Sequence, residues 1–265
     1  MSNLQANKNK NIISKIFKDN KAFIAFLTAG DPSLEKTEEF IIAMVKAGAD
    51  LVEIGIPFSD PIAEGSVIQE ANERALSVGT TTDKIFMMVK RVRQKTAIPL
   101  VFLTYINPIF VYGIDRFLKA CQESGINGVI IPDLPFEEKG EVLDIAKTYE
   151  VDVITLIAPT SKDRIQKLAK EATGFIYLVS SMGVTGVRSE IKTDLNAMID
   201  DIRQVSDTPV AVGFGISTPK QAKDISKTSD GVIVGSAIVK IIAEHGNNAS
   251  DILSNYVKSM KEAIS

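Results

Sequence analysis

Eight short apolar runs, each followed by turn residues, constrain the fold of this chain more than any other feature. They are FIAFLT (23–28), LVEIG (51–55), PLVFLT (99–104), GVIIP (128–132), VDVITLI (151–157), FIYLVS (175–180), PVAVG (209–213) and GVIVG (231–235). Continuous apolar runs, rather than alternating ones, are expected of strands covered on both faces. Helical periods lie between them. Phe40, Ile41, Met44 and Val45 repeat at helical spacing. Ile165, Leu168, Ala169 and Ala172 do the same after Ser161, a good N-cap. Thr218, Pro219 and Gln221 supply a cap, a proline at the first helical position and a capping-box partner. Ile12–Phe17 predicts an extra helix ahead of the first strand. KRVRQK (90–95) reads as a solvated helix face.

Eight strands alternating with helices in 265 residues is the arithmetic of a (β/α)8 TIM barrel. No linker or low-complexity stretch divides the chain, so residues 1–265 are expected to form one barrel domain. The competing open, doubly wound sheet carries a glycine fingerprint after its first strand, and TAGDPS is not that fingerprint.

Composition excludes several functions. A net charge of -3 gives no basic face for nucleic acid. No apolar run reaches the ~18 residues of a membrane span. The first twenty residues lack the apolar region of a secretory signal. Cys121 is the single cysteine and reads as a small buried hydrophobe, with the cytoplasm as the expected compartment. His245 is the single histidine and sits near the C-terminus, so a mechanism needing a Ser-His pair or a multi-histidine metal site is excluded or very strained. Acid–base chemistry must then fall to carboxylates, lysine or tyrosine.

In a barrel of this kind, function lies at the C-terminal ends of the strands. The polar and glycine-rich residues gather there. The second run ends in Glu53 and continues as GIPFSDPIAEG; the third leads into Thr104, Tyr105 and Asn107; the fourth ends in PDLP (132–135); the sixth passes Tyr177 into SSMGVTG (180–186). The seventh and eighth end in GFGIS (213–217) and GSAI (235–238), and together they read as a phosphate site. Glycines let the backbone approach closely, and amides at a helix N-terminus attract an anion. The alternative is a pair of tight turns. Residues 183–194 form a longer loop, either a lid over substrate or a plain surface connection.

Glu53 follows an apolar strand and precedes a turn, so its carboxyl should face the barrel mouth. Desolvation there would raise its pKa and let it donate and recover a proton near neutrality. The alternative is a buried acid bonded to a nearby backbone amide. Glu64, in the following loop, can reach the same mouth, as can Asp60, though loop acids are commonly just solvated.

At these residues the chain resembles the tryptophan synthase alpha chain family over nearly its whole length. LVEIGIPFSDPIAEG looks like the family's signature around its two catalytic carboxylates. FLTAGDP (26–32), TYINPI (104–109), PDLP, GVTG (183–186), GFGIS and GSAIVKII (235–242) follow in family order. The resemblance implies retro-aldol cleavage of indole-3-glycerol phosphate to indole and glyceraldehyde 3-phosphate. Glu53 matches the catalytic acid and Glu64 the second carboxylate. Phe26, Leu103, Ile130, Ile157, Tyr177, Thr185 and Phe214 would line the indole pocket. Amides of Gly186, Gly215, Gly235 and Ser236 would hold the phosphate, and Thr185 would orient Glu53 or the closed lid. No metal or cofactor is implied.

The resemblance also implies a beta chain, carrying pyridoxal phosphate, in an α2β2 complex. The loops around Asp60 and Pro135 would face it, and the alpha chain alone would be slow. Two positions depart from the family pattern. Glu64 stands where the family often has Asp, and Ser66 where Pro is common. Three alternatives remain: an indole-glycerol-phosphate synthase-like lyase, disfavoured because the strand interiors hold no lysine; a silent barrel that only activates its partner; and a standalone lyase that releases indole.

Overall fold

A computed structural model of the chain describes residues 12–180, 195–213 and 215–265. Its eight strands are β1 (Ala22–Thr28), β2 (Leu51–Gly55), β3 (Leu100–Leu103), β4 (Gly128–Ile130), β5 (Asp152–Ile157), β6 (Ile176–Val179), β7 (Val210–Gly213) and β8 (Gly231–Val234). They pair in sequence order into a closed barrel. Every pairing is parallel, and the barrel shuts where Ala22 of β1 meets Gly231 of β8. The expected (β/α)8 TIM barrel is the fold, and each apolar run marks its strand to within two residues.

Alternation along the strands separates two cores. Phe23, Ala25 and Leu27 of β1 face outward and pack with the helices. Ile24 points into the barrel, where it joins Leu51, Val101, Ile130, Ile154, Ala211 and Ile233. The expected extra helix is α1 (Ile12–Lys15), shorter than Ile12–Phe17. Its Ile13 is fully buried in the inner core. A Cβ at Gly128, which opens β4, would lie 3.1 Å from Ile13 Cδ1. This helix therefore plugs the barrel at the N-terminal ends of the strands, leaving the opposite end for function.

The helices start where the caps predict. In α2 (Leu34–Lys46), Ser33 Oγ accepts from the Lys36 amide at 3.2 Å. Ser161 caps α8 (Lys162–Lys170), and Thr218 with Gln221 forms the complete capping box of α10 (Pro219–Ser226). Between these lie α3 (Ser66–Ser77), α4 (Thr82–Arg93), α5 (Ile106–Tyr112), α6 (Ile114–Ser124), α7 (Gly140–Thr148) and α9 (Leu195–Arg203). The chain closes with α11 (Ser236–His245) and α12 (Ser250–Ile264). Cys121 is fully buried on α6, as its apolar reading required.

KRVRQK is only partly the solvated face expected. Arg91 and Lys95 share Glu38 across the surface. Arg93 turns inward and donates to the Gly125 carbonyl at 2.8 Å and to Asn127 Oδ1 at 2.7 Å. The carbonyl ends of α6 and the entry to β4 supply the acceptors that a buried guanidinium needs.

Candidate active site

The C-terminal ends of the strands surround a cavity of about 800 Å³, counting its open mouth. Glu53 enters it from the middle of β2, on the face shared with Leu51. A strand places this side chain, so its direction follows from the register: Glu53 sits beside Phe26 of β1 and Val101 of β3. It is 1% exposed. Its Oε2 has no hydrogen-bond partner among the described residues. Burial first, and then the nearby Glu64 carboxylate, raise its pKa to about 8. At that oxygen, at least, no backbone amide among the described residues takes up the acid.

Glu64 comes from the loop between β2 and α3 and lines the same cavity. It is 8% exposed, so it is not the solvated loop acid that its position allowed. Its Oε2 accepts from Asn72 Nδ2 at 2.7 Å, and Gln69 Nε2 donates to its carbonyl at 2.8 Å. Burial raises the Glu64 pKa, while Asn72 and Tyr105 pull it back down. The two acids thus share a cavity but not an environment. Asp60 is exposed and does not line the cavity.

Phe26, Leu103 and Tyr177 line the cavity, as do Gly215, Gly235 and Ser236. Ile130 and Ile157 do not. Ile130 lies deeper, in the inner core, and the next inward position, Pro132, reaches the cavity instead. Ile157 is turned outward into the helix-facing core, so its neighbour Leu156 takes the inward place. Thr185, Gly186, Phe214 and the 183–194 loop lie outside the described residues.

The ends of β7 and β8, the latter one strand removed from β2 across β1, bring backbone amides to the cavity. Gly215 has φ +80, a conformation open to glycine. Gly235 precedes α11, whose first helical bond runs from the Val239 amide to the Gly235 carbonyl at 3.0 Å. The amides of Ser236, Ala237 and Ile238 come before that bond and lie at the positive end of the helix. Ser236 and Ala237 line the cavity with Gly215, Ile216 and Ser217.

Two of the site's polar residues carried weaker signals. Tyr105 stands two residues after Leu103, at the next inward position, and is 1% exposed. Asn72 lies one helical turn beyond Ile68 on α3, facing the cavity side. An asparagine inside a helix on a buried face is unfavourable unless it has a partner, and that was the available signal.

Residues 14–265 match the family model described as tryptophan synthase alpha chain. The chain belongs to the tryptophan synthase alpha chain family. The alpha chain of Lactiplantibacillus plantarum is 49% identical over 253 residues, covering 95% of this chain and 96% of the relative. That of Lacticaseibacillus casei is 47% identical over 252 residues, covering 95% of each. A solved structure of the Pyrococcus furiosus tryptophan synthase a2b2 complex superposes with a TM-score of 0.83 at 36% identity, over 90% of this chain and 97% of that one. The family is a lyase subunit that cleaves indole-3-glycerol phosphate to indole and glyceraldehyde 3-phosphate in tryptophan biosynthesis. A cavity lined by two buried acids and by helix-end amides suits that substrate, which pairs an indole ring with a phosphate.

Proposed function

We propose that this chain performs the family's retro-aldol cleavage with Glu53 as acid and base and Glu64 as the charge-stabilising carboxylate. The observation that carries this reading is the unequal pair of buried acids in one cavity. Glu53, with its pKa near 8, holds a proton at neutral pH. It donates that proton to indole C3, which places positive charge at the ring nitrogen. Glu64 accepts from the ring N–H and stabilises the charge as it develops. Glu53, now a carboxylate, takes the proton from the side-chain hydroxyl. The carbon–carbon bond breaks, its electrons return to the ring, and indole and the aldehyde separate. Phe26, Leu103 and Tyr177 flank the ring, with Thr185 and Phe214 added from the resemblance. Amides of Gly186, Gly215, Gly235 and Ser236 hold the phosphate.

No lysine lines the cavity among the described residues, which disfavours the synthase-like alternative. We further propose that residues 1–265 act as one barrel domain in the cytoplasm, in an α2β2 complex with a beta chain that receives the indole. Exposed Ile62 on the loop after β2, and Phe110 and Val111 on α5, put apolar surface at the cavity's end of the barrel. Solved structures of relatives described as tryptophan synthase complexes support the same assembly.

The test is glyceraldehyde 3-phosphate release from indole-3-glycerol phosphate, with and without a beta chain. Slow release that rises with the partner is expected. Fast unaided release would identify a standalone lyase. Binding without release in either case would identify a silent regulatory barrel.

A further inference from the structure

We propose that Asn72 and Tyr105 are positioning residues that clamp Glu64 in place as the fixed acceptor for the substrate's ring N–H. This rests on the function proposed above and gives these residues roles that the family resemblance did not supply. The clamp has two arms on different elements. Asn72, on α3, donates from Nδ2 to Glu64 Oε2 at 2.7 Å. Tyr105 follows β3, and its hydroxyl accepts from the Ala63 amide at 3.2 Å. A hydroxyl has one proton to give. With the Ala63 amide already donating to it, that proton is left to turn toward the neighbouring Glu64 carboxylate, whose charge Tyr105 favours. The residue before Glu64 is thereby tied to Tyr105, while the Glu64 side chain is tied to Asn72.

The arrangement also accounts for glutamate at this position. One extra methylene carries a carboxylate about 1.5 Å further. Here the longer side chain ends on the Asn72 amide, so its added freedom is removed by a bond to a helix. The Tyr105 ring is itself wedged against Phe58, with centroids 5.5 Å apart. Both donors require an acceptor, so they favour the ionised carboxylate. Glu53 has no such donor at Oε2. The ionisable groups around Glu64 are Tyr105 and, from β2, Glu53; Tyr177 on β6 acts on Glu53, and Asp133, after β4, on Tyr105.

The experiment compares the parent protein, Tyr105→Phe, Asn72→Ala, Glu64→Gln and the double variants carrying Glu64→Gln. Each is assayed with a beta chain for the pH dependence of kcat and KM on indole-3-glycerol phosphate. Each clamp variant should lower kcat about tenfold with little change in KM, as expected when a hydrogen bond to a charged group is lost. Removing a donor raises the Glu64 pKa, so the acid limb of the profile should move to higher pH. In the Glu64→Gln background neither change should have further effect. Loss that adds fully to that of Glu64→Gln, or an unmoved acid limb, would overturn the proposal. Tyr105→Phe keeps the ring and serves if Asn72→Ala folds poorly, which thermal melting reports. Carbon-13 titration of the Glu64 carboxyl in the resting protein reads the clamp without turnover. An unchanged titration in both clamp variants overturns the clamp. A parent that cleaves nothing overturns the proposed function instead, and the titration then still decides whether these residues set the charge of Glu64.

Discussion

Tyr177 lies across Gly213 so closely that a Cβ at Gly213 would sit 2.5 Å from the Tyr177 hydroxyl oxygen. The two face each other in paired strands β6 and β7, with Tyr177 registered on Ala211 and Val179 on Gly213. The missing side chain at Gly213 gives the tyrosine room beside Glu53, whose charge contributes to holding the Tyr177 hydroxyl protonated. Gly213→Ala must push the ring into the cavity or distort the sheet. Overpacking of this kind costs about 1–3 kcal/mol. We expect a lower melting temperature together with a raised KM, because the displaced ring occupies substrate space. Melting and steady-state kinetics on one preparation check it; an unchanged KM would show that the ring can move elsewhere.

Glu53 makes stability depend on pH in a defined direction. Its pKa is raised in the folded state, from 4.5 to about 8, so folding favours the protonated form. The associated stability is fully present below about pH 4.5 and is lost as pH rises through about 8. Glu53→Gln mimics the neutral acid and should remove that loss. The variant should therefore gain on the parent protein between those limits, by on the order of 4 kcal/mol at the upper end, given 1.36 kcal/mol per pH unit. Denaturant unfolding at pH 5 and pH 8 measures the difference. Parallel behaviour of the two proteins would show that Glu53 is not desolvated in solution.

Glu64 contributes to the raised pKa of Glu53, but after burial. Glu64→Gln removes the charge and keeps the shape. The basic limb of the kcat/KM profile, set by loss of the Glu53 proton, should move to lower pH. It should stay above the ordinary carboxylate range, because burial remains. A basic limb that did not move would mean that the two carboxylates do not sense each other.

Glu64→Asp keeps the carboxylate but withdraws it by about 1.5 Å from Asn72. Its loss of kcat should lie between those of the parent and Glu64→Ala. Equal losses for Asp and Ala would show that reach matters as much as charge.

Much of this was legible in the sequence. The eight apolar runs mark the eight strands to within a residue or two, because strands covered on both faces leave no other pattern. Glu53 stood out because a carboxylate inside such a run has to face the barrel interior. Ile157 was misplaced because continuous apolar runs hide the alternation that separates inward from outward: Leu156 and Ile157 are both apolar, and only the register chooses between them. Arg93 was hidden for a related reason, since a charge run does not reveal which member turns toward free carbonyls. Asn72 lies a helix away from Glu64 in function but only two turns in sequence, and its role depends on the side chain it meets.

The central claim is that Glu53 moves the proton that breaks the carbon–carbon bond. The most direct measurement is glyceraldehyde 3-phosphate release from indole-3-glycerol phosphate by the parent protein and by Glu53→Gln, each with a beta chain. The variant should fold, still bind substrate, and lose at least about a hundredfold in kcat. Near-parental turnover by Glu53→Gln would contradict it.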